Sequence, residues 1–288
     1  MKRTCILLSI LMIAVLFASC EGYTDGYEGR SVMEVEGRQG IAYDGKYRYV
    51  SGTDSLIRYT WNWAVVNRAE DPLKGYPEEV NHLGDVTYYD GSIYAAAEYF
   101  DEGKVKNMQI GIYDKETLEL TGSYEIDKSS GQTECSGVAA DPDNGFIWVC
   151  SWSSGESGEY LYRYSLEDGK YLGKMKLDKP PVNIQGVAYF KEGIYLTADD
   201  GDCEKDQPDH MYLVTPDEDY ANAAVTEEKD FTEVLDFGEI EGFTFMPKKK
   251  KLLVLQNRGA KIENGVPVGF YDDYEREFSE VYTYGVIN

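Results

Sequence analysis

The stretch "QGVAYFKEGIYLTA" (residues 185–198) decides the fold, because nearly the same phrase stands near the start of the chain as "QGIAYDGKYRYVSG" (residues 39–52). Each reads as a short strand, a tight polar turn and a second strand rich in β-branched and aromatic residues. Three further copies follow the same grammar: "LGDVTYYDGSIYAAAE" (83–98), "SGVAADPDNGFIWVCS" (136–151) and "EGFTFMPKKKKLLVLQN" (241–257). Their shared glycines, Gly40, Gly84, Gly137, Gly186 and Gly242, are spaced by 44, 53, 49 and 56 residues. Recurrence at that period signals a repeat architecture in which each unit buries its apolar face against the next.

A variable loop after each hairpin leads to a third strand, read as "LIRYTWN", "MQIGIYD", "YLYRYSL", "MYLVTP" and "PVGFYDD". A fourth follows an acidic turn, best seen in "LELTGSYEI", "KYLGKMKL" and "FSEVYTYGV". Four antiparallel strands per unit, repeated around an axis, predict an all-β chain: a β-propeller of five four-stranded blades. Residues 20–36 read as a tether that lends "SVMEV" as a closing strand to a propeller domain over 37–288. A sixth, degenerate blade built from that segment and residues 61–80 is the alternative. Residues 218–230 are expected to hold one short helical turn between strands.

Residues 1–19 read as an export signal, with Lys2 and Arg3 ahead of an apolar run over 6–17 that is short for a membrane span. The run ends in "LFASC", which resembles a bacterial lipobox with Cys20 as the lipidated residue; cleavage near Ser19 without lipidation is the alternative. Either reading places the mature protein outside the cytoplasm; the lipobox reading holds it to the cell envelope, periplasmic or surface-facing, with membrane contact through the Cys20 anchor only. Loss of Lys2 and Arg3 deepens the formal charge from −24 to −26. Such a surface repels nucleic acid and anionic headgroups, and argues against both as partners. After Cys20 three cysteines remain. Cys135 and Cys150 flank one hairpin within reach of a disulfide, with two buried thiols as the alternative, and Cys203 is left free on a loop.

The phrases "QGIAYDG…YVSG" and "QGVAYFKEGIYLTADDGD" resemble extracytoplasmic propellers of the NHL and regucalcin/gluconolactonase type. "EGFTFMPKKKKLLVLQN" resembles strand pairs of phytase-like and glutaminyl cyclase-like propellers. The resemblance spans most of residues 37–284 but lives in short blade phrases, so it implies the fold more than an activity.

In such a ring the first strand of each blade lines the central channel, and residues just before the shared glycines converge on one mouth. These are residues 37–39, 81–83, 134–136, 183–185 and 239–241, joined by Asp54, Glu98, Trp152, Asp199, Asp200, Asn257 and Arg258 from the second strands. Gln39, Glu98, Ser136, Trp152, Gln185, Asn257 and Arg258 are the candidate ligand contacts. The lactonase resemblance implies a calcium ion held by Glu241, Asn183 and Asp199 or Asp200, although "TADDGD" also reads as a solvated acidic turn. His82 falls at the channel end of blade 2 as a candidate base, with Asp85 to orient it; a structural hydrogen bond is the alternative. His210 lies in a long excursion near Asp206 and Asp209. No nucleophile elbow or phosphate loop occurs. Trp148 reads as core, whereas Trp61, Trp63 and Trp152 sit where strands leave the sheet and offer faces for sugars or peptides, or cap blade interfaces.

The leading expectation is a lipid-anchored binding module whose mouth takes a small ligand, glycan or protein partner. The alternatives are a calcium-dependent hydrolase of lactonase or esterase type, a lyase-like enzyme, and a structural scaffold of a surface complex.

Overall fold

The computed structural model describes residues 26–101, 104–152, 155–234, 237–263 and 265–286. The export signal and Cys20 lie outside the described residues. The chain opens with β1 (Tyr27–Val35) and then lays down four-stranded antiparallel blades in turn, the third and fourth being joined into one eight-stranded sheet by a short parallel pairing, Lys176 with Asn222 and Leu177 with Ala223. Blade 1 is β2 (Gly40–Tyr43), β3 (Arg48–Gly52), β4 (Ser55–Tyr59) and β5 (Val65–Arg68). Blade 2 is β6 (His82–Tyr89), β7 (Ser92–Asp101), β8 (Lys104–Asp114) and β9 (Leu120–Glu125). Blade 3 is β10 (Gly137–Asp141), β11 (Phe146–Cys150), β12 (Tyr160–Ser165) and β13 (Tyr171–Leu177). Blade 4 is β14 (Ile184–Phe190), β15 (Gly193–Ala198), β16 (His210–Pro216) and β17 (Asn222–Asp230). Blade 5 starts with β18 (Gly238–Met246) and β19 (Lys251–Arg258). A separate hairpin of β20 (Ala260–Glu263) and β21 (Val266–Phe270) intervenes before β22 (Phe278–Val286).

β1 pairs with β22 and completes blade 5 in the order β1-β22-β19-β18, so the first strand of the chain closes the ring with the last. The protein is a five-bladed β-propeller. Residues 61–80 supply β5 to blade 1, which leaves no sixth blade among the described residues.

Two strand expectations are corrected. "PVGFYDD" is not the third strand of blade 5, because Val266–Phe270 is exposed throughout, whereas Phe278–Val286 buries Val281, Tyr282 and Tyr284. The residues expected as a fourth strand are therefore the third. The helical turn expected within 218–230 is a strand: Ala223 and Val225 face inward while Asn222, Ala224 and Thr226 face out, a period of two.

Each blade is sandwiched by its neighbours, so successive residues of the inner strands are buried on opposite faces. Ile41 packs toward blade 5 with Leu253 and Leu255, and Ala42 toward blade 2 with Val86 and Ala95. One apolar core fills each of the five blade interfaces. Side chains such as Ile41, Val138 and Leu196 are fully buried, each contributing about 1.5–3 kcal/mol for its apolar surface.

Near the axis the inner strands are stitched to one another around the whole ring. Ser51 Oγ donates to Gly84 O (2.8 Å), Asp85 N to Ser136 O (2.8 Å) and Ser136 Oγ to Ile184 O (2.8 Å). Thr197 Oγ1 donates to Glu241 O (2.7 Å) and Gly242 N to Gln39 O (3.1 Å), which closes the circle.

The pairing register also changes how the repeats align. Ile41, Val86, Val138, Val187 and Phe243 occupy equivalent positions opposite Val50, Ala95, Val149, Leu196 and Val254. The residue before each is Gly40, Asp85, Gly137, Gly186 and Gly242. Blade 2 carries a bulge between Leu83 and Val86, so Asp85 rather than Gly84 stands in the glycine ring. Its carboxylate lies on the axis among the glycines: a Cβ added at Gly40 would fall 2.4 Å from Asp85 Oδ1.

Candidate ligand-binding mouth

All five inner strands start at the same end of the axis, and the second strand of each blade returns to it. Between them lies a cavity of about 180 Å³. Blade 1 contributes Arg38, Gln39 and Thr53; blade 2 Asn81, His82, Glu98 and Phe100; blade 3 Glu134, Ser136 and Trp152; blade 4 Gln185; blade 5 Glu239 and Glu241. The β20–β21 hairpin reaches over from blade 5, and Gly265 at its turn faces Phe100 of blade 2, where an added Cβ would meet the ring at 3.1 Å.

The wall is acidic. Glu241 is 2% exposed; its Oε1 accepts from Asn257 Nδ2, and Asn257 in turn bonds Arg38 O and Ser279 Oγ. Burial, reinforced by the charge of Glu239, pushes the Glu241 carboxyl well above the usual range. Burial also lifts Glu239 to about 7, with Arg38 pulling against it and Glu277 adding to it. The Arg38 guanidinium lies between the two, 3.2 Å from Glu239 Oε2 and 2.9 Å from Glu277 Oε1.

Across the cavity Glu98 Oε2 accepts from Cys135 N (2.9 Å), which ties blade 2 to blade 3, while its Oε1 faces His82 Nδ1 at 3.6 Å. His82 and Glu98 are directly opposed in the β6–β7 ladder, so strand register places them together. Glu134 accepts from Trp152 N, and this fixes where the indole leaves β11.

The structure brings Gln39, His82, Glu98, Ser136, Trp152, Gln185 and Glu241 around one cavity and disperses the other candidates. Asn257 sits behind Glu241, nearly fully buried. Arg258 turns away, with Nη1 on Glu280 Oε2 (3.0 Å) and Nη2 on Tyr274 OH (2.6 Å). Asp85 accepts from Val86 N (2.7 Å) and Ile41 N (3.3 Å) deeper on the axis, and the carboxylate beside His82 is Glu98 instead. Asp54 lines a separate surface hollow between blades 1 and 5.

The expected calcium ligands, Glu241, Asn183 and Asp199 or Asp200, do not line one cavity. Asp200 is bonded to His210 Nδ1 (2.8 Å) and Tyr212 OH (2.5 Å), and Asn183 Nδ2 donates to the Asp199 carbonyl (2.9 Å). Asp199 lines a neighbouring cavity of about 470 Å³ together with Asp209 and Glu239. Among the described residues no three carboxylates, histidines or cysteines are placed to hold a metal ion.

Cys135 and Cys150 are free thiols. Cys135 packs in the core between blades 2 and 3, and Cys150 in the core between blades 3 and 4, so the sheet separates their side chains. Trp148 is fully buried with Nε1 on Asp141 Oδ2 (3.1 Å). Trp61 is exposed on the surface, and Trp63 stacks on Arg48 beside Tyr59. Phe100 and Gly265 escaped the sequence reading. Phe100 follows the Ala97–Tyr99 bulge, and Gly265 belongs to a hairpin inserted into blade 5.

Fold and mouth together define a five-bladed propeller with a polar axial cavity. No protein-family model matches the chain, and no curated protein matches its sequence. Among solved structures it is similar to a gluconolactonase from Xanthomonas campestris, at 11% identity and a TM-score of 0.48 over 83% of this chain and 68% of that one. It is also similar to hydrazine synthase from Kuenenia stuttgartiensis, at 12% identity and a TM-score of 0.44 over 86% of this chain and 63% of that one. The architecture rests on the strand pairing itself.

Proposed function

We propose that this propeller is an exported, lipid-anchored binding module whose axial mouth takes a small ligand rich in hydrogen-bond donors. One observation carries the reading: all five blades send polar side chains, four of them carboxylates, to one open-mouthed cavity bounded by His82, Phe100 and Trp152. At about 180 Å³ the cavity is smaller than the ~300–1,000 Å³ of sites for drug-sized molecules, which favours ligands the size of a monosaccharide or an amino acid.

The lipobox-like "LFASC" supports anchoring at Cys20. β1 starts at the far face, where Tyr27 pairs with Val286 and Val286 N donates to Lys250 O. Residues 20–25 would span at most ~20 Å, so a lipid there would hold that face near the membrane and turn the mouth outward.

The test is a thermal-shift panel of monosaccharides, amino acids and amines on the full chain, with hits measured by calorimetry. Trp152→Ala and Gln185→Ala should weaken a hit at least tenfold while leaving folding intact. A panel without hits, or hits indifferent to both variants, would overturn the proposal. Labelled palmitate should enter the wild type and not Cys20→Ala; equal labelling would sink the anchor. The His82–Glu98 pair favours a second reading, hydrolysis with His82 as base, which requires turnover of a lactone or ester that His82→Gln abolishes.

A further inference from the structure

We infer that the mouth selects a small organic cation, an amine or quaternary ammonium compound, an inference that rests on the mouth being the ligand site. Four carboxylates line the cavity (Glu98, Glu134, Glu239 and Glu241), and its one arginine is already held between Glu239 and Glu277. With carboxylates on several sides and no free guanidinium to receive it, an entering anion would be repelled by whichever of these groups is ionised.

A separate observation points the same way. Glu241 is 98% buried, with 2% of its surface exposed, and only one of its oxygens is engaged, by Asn257. The other has no hydrogen-bond partner among the described residues, and Glu241 lines the cavity. A buried carboxylate with an open oxygen is costly unless a donor or a positive charge meets it. Trp152 and Phe100 supply the second half of the recognition, since aromatic faces attract a cation through the ring quadrupole. A neutral sugar would use the rings and leave the charge unanswered.

Proton linkage follows from the same geometry. The groups that face Glu239 and Glu241 are Arg38, Glu277, Asp199, Asp209 and Asp85, four carboxylates and one guanidinium, and burial holds both glutamates above the usual range. A bound cation favours their ionised forms, so binding releases protons and strengthens as pH rises from 6 to 8.

The experiment uses three probes of one shape on the full chain: choline, 3,3-dimethylbutan-1-ol and 3,3-dimethylbutanoate. Calorimetry should find choline at least tenfold tighter than the alcohol and the carboxylate silent. Heats should differ between phosphate and Tris buffers because protons are released. Glu241→Gln, which keeps an acceptor for Asn257, should weaken choline at least fivefold, and Trp152→Ala should weaken it without altering the proton count. Equal binding of alcohol and choline, or choline binding unchanged in Glu241→Gln with native melting, would overturn the cation inference and leave the mouth as a ligand site. Silence of all three probes would also overturn it, and the broader panel then decides separately whether the mouth binds anything.

Discussion

The carboxylate of Asp85 occupies the space that Gly242 leaves at the axis: a Cβ built at Gly242 would stand 2.0 Å from Asp85 Oδ1. Four glycines and one aspartate thus share one ring, and the aspartate is admitted because the glycines lack side chains. Its Oδ1 accepts from the backbone of blades 1 and 2, so a fully buried acid ties these two neighbouring blades together at the axis. Gly242→Ala should cost several kcal/mol, since backbone and a wedged side chain both stand in the way. Asp85→Ala should cost about 2–4 kcal/mol by orphaning two buried N–H groups and opening a void. Asp85→Asn, which keeps an acceptor, should cost less than either. Gly122→Ala, with nothing within 4 Å, is the neutral control. Urea midpoints rank the four, and an Asp85→Ala protein as stable as wild type would refute the role of the ring.

The buried acids make stability depend on pH in an unusual sense. Glu239 sits at about 7 against an ordinary 4.5, and burial drives Glu241 and Asp85 in the same direction. Between those values the folded protein holds protons that the unfolded chain has released, so stability falls as pH rises through the window. Glu239 alone would account for at most about 3 kcal/mol at ~1.4 kcal/mol per unit. Carboxylates held below the usual range, such as Asp168 and Asp202, act oppositely, but only toward the acid end of that window and below, and from exposed positions. The urea midpoint should therefore decline from pH 5 to pH 8, and Glu239→Gln should flatten the slope. A midpoint that rises over that range would contradict the arrangement.

Much of this was legible in the sequence because the inner hairpin is a local unit. "QGIAYDG" and "QGVAYFKEG" carry strand, turn and register in one phrase, and the convergence of Gln39, Ser136, Gln185 and Glu241 follows from ring geometry alone. What was illegible is tertiary or a matter of one-residue register. The Leu83–Val86 bulge exchanges Gly84 for Asp85, and a glycine in the right letter position conceals that slip. The third strand of blade 5 was displaced by an insertion, because "PVGFYDD" has strand-forming letters while only "FSEVYTYGV" meets a neighbouring blade. Phe100 beneath Gly265 joins blade 2 to an arm of blade 5, a contact with no trace in either segment. Sequence also offered Asp199 and Asp200 as equals, and only the fold tells them apart: His210 and Tyr212 on the next strand hold Asp200, while Asp199 faces a neighbouring cavity.

Closure of the ring by β1 makes a testable demand on the first described strand. It covers the edge of β22 and buries Tyr27 and Val35 in two different cores. A chain starting at residue 37 would lose that apolar burial and expose an unpaired edge. Compared with a chain starting at residue 26, its melting temperature should fall by roughly 10–20 °C, from a loss of about 4–6 kcal/mol. It should also associate in solution, and a peptide of residues 26–36 added in trans should restore part of the loss. Melting within about 3 °C of the longer chain would mean that the closing strand is idle.

Thiol reactivity separates the three described cysteines by burial. Cys135 and Cys150 are fully enclosed on opposite sides of blade 3, and burial pushes both thiols up, far from the reactive thiolate. Cys203, half-buried beside Tyr271 on a loop of blade 4, is also raised but touches solvent. In a variant with Cys5 and Cys20 replaced by alanine, a disulfide reagent at pH 8 should titrate one thiol slowly in the native state. The same unreduced protein in guanidinium should titrate three at once. Finding a single thiol after denaturation would reveal a Cys135–Cys150 bond, which the two separate cores could accommodate only if the sheet between them opened.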